Sequence, residues 1–307
     1  MRRQPNIVVL GSSNTDMVAT APRFPGAGET VLGNHFIMNQ GGKGANQAVA
    51  AARLGACVKF IGRLGTDVFG DMAVAALASE GIDTSRIIRD PNVPSGIALI
   101  TVSAETGNNC IVVAPGANAA LSPEDIDANT DIIRAADVLI CQLETPLETI
   151  TVAVAAARAA GVKTILNPAP AQPLPSSLLP LISILTPNET ESQLLVDDTA
   201  ASPAEASAIL RARGVATVIT TLGSAGAHIS TAEGDSLEVG HKVAAVVDTT
   251  AAGDCFTGAL AVYLAEGKSL SESVSFANAA AALSVTRAGA QTSLPERDAV
   301  ESFIHAR

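Results

Sequence analysis

Short runs of β-branched and other apolar residues alternate along this chain with longer alanine-rich stretches. That alternation predicts strands and helices taking turns, the pattern of a parallel sheet with helices on its faces. The expected central strands are Asn6–Leu10, Val58–Ile61, Val138–Gln142, Thr164–Asn167, Ile182–Thr186 and Thr217–Thr221. Several are almost wholly apolar, as strands covered on both faces should be. The expected helices include Ala45–Leu54, Val68–Glu80, Leu147–Ala160, Ala204–Arg213, Gly253–Glu266 and Ser271–Arg287. Their alanine clusters are explained by close helix packing.

Two stretches break the alternation, residues 15–40 and 95–115, which read as paired strands with Gly, Pro and Asn at the bends. Neither makes a stable sheet alone, but together they form a small one expected to lie over the main sheet as a lid. The competing expectation is that they extend the edge of the main sheet. No internal repeat or low-complexity linker divides the chain, so residues 1–307 are expected to form a single α/β domain with this inserted lid.

The chain is long enough to bury a large core without disulfides or a structural metal. Its 30 acidic against 19 basic side chains give a net charge of −11, and no basic cluster offsets it, which argues against nucleic acid and anionic membranes as partners. Cys57, Cys110, Cys141 and Cys255 are far apart, with no CxxC pair, and are expected as reduced core residues. Arg2 and Arg3 precede an apolar run, Ile7–Leu10, too short for a signal peptide, and no run spans a membrane, so a cytoplasmic protein is expected. The isolated histidines, His35, His228, His241 and His305, suggest neither a metallohydrolase nor a serine hydrolase.

Four segments carry chemistry. In Asp248-Thr249-Thr250-Ala251-Ala252-Gly253-Asp254, small residues lead directly into a helix, whose unpaired N–H groups and dipole make an anion site. A carboxylate beside such a site suits phosphoryl transfer to a hydroxyl, with Asp254 as the base. Gln40-Gly41-Gly42-Lys43-Gly44-Ala45-Asn46 lets backbone approach a ligand closely and offers the Asn46 amide to a polyol, but lacks the spacing of a Walker A loop. Asn14 and Asp16, just past the first strand, offer an amide and a carboxylate to vicinal hydroxyls or simply form a turn. Asn188 and Glu191, expected on one side of a helix, are either oxygen ligands near a hydrated Mg²⁺ or an ordinary acidic helix start.

Taken together these segments resemble the ribokinase-like (PfkB) carbohydrate kinase family, from about Ile7 to about Pro295. The family's two signatures match Gly41–Gly55 and Asp248–Leu260, with further likeness in Asn167-Pro168-Ala169-Pro170, Thr221–Gly226 and Val285–Gln291. Ala251-Ala252 departs slightly from the Gly-Ala of many members. The resemblance implies a three-layer sandwich with a mostly parallel central sheet and a small β lid. It implies ATP-dependent phosphorylation of D-ribose at the 5-hydroxyl. A related kinase for 2-deoxyribose, fructose or a nucleoside, and a sugar sensor without turnover, are the competing readings. It places the sugar at Asn14, Asp16, Gly42, Lys43, Asn46 and Glu144, with Asp254 as base. The nucleotide falls at Asn188, Thr221, Gly223, Gly226, Ala252, Gly253 and Asn278. Mg²⁺ accompanies ATP near Asn188 and Glu191, and K⁺ is the implied activator at Asp248, Thr250, Ser284, Arg287, Gly289 and Ser293. A homodimer formed through the lid is implied as well.

Overall fold

The computed structural model describes residues 4–306; Arg2 and Arg3 lie outside the described residues. Strand β1 (Asn6–Leu10) leads to β2 (Asn14–Ala21), β3 (His35–Gly41), helix α1 (Lys43–Arg53), β4 (Cys57–Gly65), α2 (Val68–Ser79) and β5 (Ile87–Asp90). Next come β6 (Gly96–Ser103), β7 (Asn109–Ala114), the short α3 (Pro123–Asp127) and α4 (Thr130–Arg134), β8 (Val138–Gln142), α5 (Leu147–Ala159), β9 (Lys163–Asn167) and β10 (Ile184–Leu185). The chain then runs through α6 (Glu189–Val196), α7 (Pro203–Ala212), β11 (Thr217–Thr221), β12 (Gly226–Thr231), β13 (Gly234–Val239), α8 (Ala252–Ala265), α9 (Leu270–Ser284) and α10 (Arg297–His305).

Nine strands form the main sheet in the order β13-β12-β11-β10-β9-β8-β1-β4-β5. It is parallel from β11 to β5, and the β12–β13 hairpin adds an antiparallel edge. Alternation along the strands feeds two cores: Ile7 and Val9 pack with α1, α8 and α9 on one face, Val8 and Leu10 with α5 and α7 on the other. This is the three-layer arrangement that the apolar strands require. Where α1 crosses α8, a Cβ on Gly258 would stand 2.7 Å from Ala50 Cβ and 2.9 Å from the Gln47 carbonyl, so glycine lets the two helices touch.

The remaining strands form a separate sheet, β3-β2-β6-β7, rather than an extension of the main one. Both hairpin-like stretches contribute, but regular pairing starts at Asn14, and residues 22–34 contain no strand. One expected strand shrinks: Ile182–Thr186 is reduced to Ile184–Leu185, because Thr186 and Pro187 already turn toward α6. The helix expected to reach Arg287 ends at Ser284, which leaves residues 285–290 as a loop before a short 3-10 turn, Gln291–Ser293. The cysteine expectation needs correcting. Cys141 and Cys255 are buried, but Cys57, opening β4 at the end of the sheet, and Cys110, on β7 of the small sheet, are exposed. Among the described residues no helix is long and apolar enough to cross a membrane.

Candidate active site

Helix α8 starts abruptly. Ala251, its N-cap, sits in the left-handed region at φ 60° and provides no side-chain cap. Ala252 N–H donates to the Thr249 carbonyl at 3.3 Å and Cys255 N–H to the Ala251 carbonyl at 2.8 Å. Among the described residues, the N–H groups of Gly253 and Asp254 make no backbone hydrogen bond, and these two form the open anion site. Ala252 N–H, engaged with Thr249, is not part of that opening.

Asp254 itself is 5% exposed and lies in the first turn of α8. Its Oδ2 accepts from Asn46 Nδ2 at 2.9 Å and its Oδ1 from Gln47 Nε2 at 2.8 Å. Burial pushes its pKa up, while the Lys43 ammonium and the two amides pull the other way. A carboxylate accepts about four hydrogen bonds, so one bond per oxygen leaves room for a substrate hydroxyl.

The start of α1 contrasts with that of α8. Gly42 at φ 89° brings the chain so close to β2 that a Cβ there would stand 2.8 Å from Asn14 N. The first N–H groups of α1 are then consumed internally. Lys43 N–H donates to Glu144 Oε2 at 3.0 Å, Gly44 N–H to Ser12 Oγ at 3.3 Å and Ala45 N–H to the Ser12 carbonyl at 2.9 Å. Ser12 Oγ in turn donates to Glu144 Oε2. Two helix N-termini meet here, and only that of α8 remains free for an anion.

Asn14 opens β2 beside Gly41 of β3 and Gly96 of β6, at the root of the small sheet. Its amide orientation is set by Asn118, whose Nδ2 donates to Asn14 Oδ1 at 2.8 Å, while Ser13 N–H donates to Asn118 Oδ1 at 3.0 Å. Sequence reasoning missed Asn118, which lies more than a hundred residues from its partners. Asp16 has its pKa raised to about 6, by burial first and then by the Glu144 carboxylate.

Two adjoining cavities run past α8. The larger, about 430 Å³, is mainly apolar and is lined by Val243, Val246, Phe256, Ala282, Val285 and Asn278, among others. The smaller, about 190 Å³, is polar and holds Lys43, Asn188, Glu191, Gly253 and Asp254. Thr221, Thr249, Ala252 and Gly253 line both. Gly223 and Gly226 border the larger one, and Asn278 is held there by donating to the Glu238 carbonyl at 3.1 Å. Burial works against the charge on Lys43, but the Asp254, Glu144 and Glu191 carboxylates outweigh it and raise its pKa. Asn14, Asp16, Gly42 and Asn46 line neither cavity.

Asn188 precedes α6 rather than lying on it. It forms a reciprocal cap with Glu191: Glu191 N–H donates to Asn188 Oδ1 at 2.8 Å, and Asn188 N–H to Glu191 Oε2 at 2.9 Å. Burial raises the Glu191 pKa, although the Asn188 N–H and Lys43 oppose it. Among the described residues, the cap leaves Glu191 Oε1 uncommitted. Just ahead of α8, Asp248 ties two loops together. Its Oδ1 accepts from Thr250 N at 2.9 Å and Oγ1 at 2.6 Å, and its Oδ2 from Gly289 N at 2.9 Å. Ser284 and Ser293 are fully buried, each donating its hydroxyl to a nearby carbonyl, of Ala281 and Ala290. Of the six residues expected around K⁺, Ser284 ends α9, and the other five lie ahead of α8 or after α9, two segments joined by the bond from Gly289 to Asp248.

The pfkB family carbohydrate kinase model matches residues 4–297. A ribokinase of Haemophilus influenzae is 44% identical, covering 97% of this chain and 98% of its own. A deoxyribokinase of Salmonella typhimurium is 35% identical over 97% of this chain and 98% of its own. The structure of Arabidopsis thaliana ribokinase complexed with ribose and ATP superposes with a TM-score of 0.93 at 36% identity, covering 98% and 99% of the two chains. The chain therefore belongs to the pfkB family of carbohydrate kinases.

Proposed function

We propose that this kinase transfers the γ-phosphoryl group of ATP to the 5-hydroxyl of D-ribose, with Asp254 as the base. One observation carries the reading: a buried carboxylate, Asp254, directly beside the two free N–H groups at the start of α8. Asp254 accepts the hydroxyl proton, and the N–H groups of Gly253 and Asp254 stabilise the charge on the group in transfer. Lys43, which lines the polar cavity with Asp254 and Glu191, supplies positive charge there. The relatives named ribokinase, and the one solved with ribose and ATP, support these substrates.

The larger cavity suits the adenine end of ATP, bordered by Thr221, Gly223, Gly226 and Asn278, and the polar one suits its phosphates beside Ala252 and Gly253. Asn14, Asp16, Gly42, Lys43, Asn46 and Glu144 hold the sugar. Tyr263 stacks on Phe276 at 3.7 Å within the helical layer, so it provides no wall for a nucleobase, which favours a sugar over a nucleoside as acceptor.

Mg²⁺ accompanying ATP would supply positive charge beside the phosphates, near Asn188 and Glu191. The donor set fits a hydrated ion: the cap occupies Asn188 Oδ1 and Glu191 Oε2, and Glu191 Oε1 remains for a water of the ion's shell. A carboxylate amid loop carbonyls and hydroxyls fits K⁺ at Asp248, Thr250, Ser284, Arg287, Gly289 and Ser293. We read the four-stranded sheet as the lid of a single cytoplasmic domain. Phe36, Met38, Leu99, Ile111, Val112 and Val113 are exposed on it, which supports a homodimer formed through that sheet.

The test is ADP release with ribose, 2-deoxyribose, fructose and adenosine as acceptors. Ribose is expected to give the highest kcat/KM, and preference for 2-deoxyribose would move the acceptor assignment. Asp254→Asn is expected to lower kcat by about 10²–10⁴-fold. Near-normal turnover in that variant would remove Asp254 as the base.

A further inference from the structure

Behind Asp254 lies a chain of buried side-chain amides whose polarity is set from one end. The Thr186 carbonyl can only accept, and Asn167 Nδ2 donates to it at 2.9 Å. Asn167 must therefore turn its Oδ1 toward Gln47, whose Nε2 donates to it at 3.1 Å and to Asp254 Oδ1 at 2.8 Å. The Gln47 Oε1 is left facing Gln142, whose Nε2 donates at 2.7 Å. Gln47 is 0%, Gln142 1% and Asn167 6% exposed, and they come from three rigid elements, α1, β8 and β9. Neither Gln47 nor Gln142 lines either cavity.

We propose that Gln47, locked by Gln142 and Asn167, is a positioning residue that presents Asp254 as an ionised, correctly turned base. The proposal rests on the reading of Asp254 as the base. An amide flip at Gln47 would aim its carbonyl oxygen at the carboxylate. Such a flip would also break the bonds to Asn167 and Gln142 together, so the network holds the donor in place. A hydrogen bond to the charged form favours that form, which offsets the burial of Asp254. The charged groups around Asp254 are Lys43 at the start of α1, Glu144 after β8 and Glu191 on α6. Substitution of Gln47 or Gln142 leaves all three in place.

The experiment compares pH profiles of kcat and KM, with ribose and MgATP, for Gln47→Met, Gln142→Met, their combination, Asp254→Asn and the unaltered protein. Gln47→Met is expected to move the acid limb of kcat upward by about one pH unit, with about a tenfold loss below the limb and recovery at alkaline pH. KM for ribose is expected to stay within about threefold. Gln142→Met is expected to move the limb the same way by less, and to add nothing once Gln47 is already Met. A folded Gln47→Met with an unmoved acid limb overturns the proposal. So does a loss of kcat that is equal at every pH. If Gln47→Met fails to fold, Gln142→Met decides alone, and an unmoved limb there overturns the proposal. Retained turnover in Asp254→Asn would instead defeat the assignment of the base, a separate outcome.

Discussion

Asn46 Nδ2 donates to Asp254 Oδ2 at 2.9 Å across a separation of 208 residues, joining the first signature segment to the last. The bond means that the residue expected to grip the sugar also holds the base. On the proposed assignment, sugar binding and proton transfer share one buried cluster, in which the Lys43 ammonium favours the ionised form of Asp254.

The raised pKa of Asp16, about 6, predicts a pH dependence. Because the folded value lies above the ordinary 3.8, the native state holds the extra proton between about pH 4 and 6. Any contribution of this group to stability is therefore greatest below pH 4 and is lost as the pH rises through 6, with its size reduced by the partial exposure of Asp16. Sugar binding, on the proposed assignment, runs the other way, since the ionised carboxylate accepts hydrogen bonds from hydroxyls. The kcat/KM for ribose is expected to fall below about pH 6, and Asp16→Asn to flatten that limb while lowering kcat/KM throughout.

Gly258→Ala tests the contact between α1 and α8. Alanine in a helix interior normally stabilises by about 1 kcal/mol relative to glycine. Here the new Cβ meets Ala50 Cβ at 2.7 Å and the Gln47 backbone carbonyl at 2.9 Å. Overpacking of this kind costs about 1–3 kcal/mol, so thermal unfolding is expected to show a lower Tm rather than a higher one. Activity is expected to fall with it, because the displaced turn carries Gln47.

Asn118→Asp replaces the donor that faces Asn14 Oδ1 with an acceptor. The Asn14 amide would have to turn to meet it, presenting the wrong group to the sugar. The expected result is about a tenfold rise in KM for ribose, with kcat much less affected. Steady-state kinetics over a range of ribose concentrations measure both.

Replacing K⁺ with a bulky organic cation is expected to lower kcat, because the loops joined by Asp248 adjoin the anion site at the start of α8. Asp248→Ala is expected to lower kcat by more than about tenfold and to abolish the response to K⁺. Equal activity with and without K⁺ in the unaltered protein would remove the cation from the account.

Much of the architecture is legible locally. The run Ile7–Leu10 is apolar on both sides, and the structure buries it on both sides, in two cores. The anion site is legible for a related reason: its N–H groups come from consecutive residues, so small residues ahead of a helix announce it. Less legible is Ile184–Leu185, where the strand is held to two residues because Thr186 and Pro187 already turn toward α6. The exposed Cys57 and Cys110 likewise show that residue type alone does not decide burial.

The sequence by itself determined the alternation of strands and helices and the existence of a second small sheet, because periodicity is a property of neighbouring residues. Only the tertiary structure decided which helix N-terminus stays open, with Ser12 and Glu144 closing that of α1. It also decided that Gln47, Gln142, Asn167 and Asn118 stand behind the functional groups. Their partners lie 95 to 207 residues away in those bonds, and Gln47 meets Asp254 only after α1 has packed against α8. A buried amide finds its role through what packing brings to it, and no local pattern carries that information.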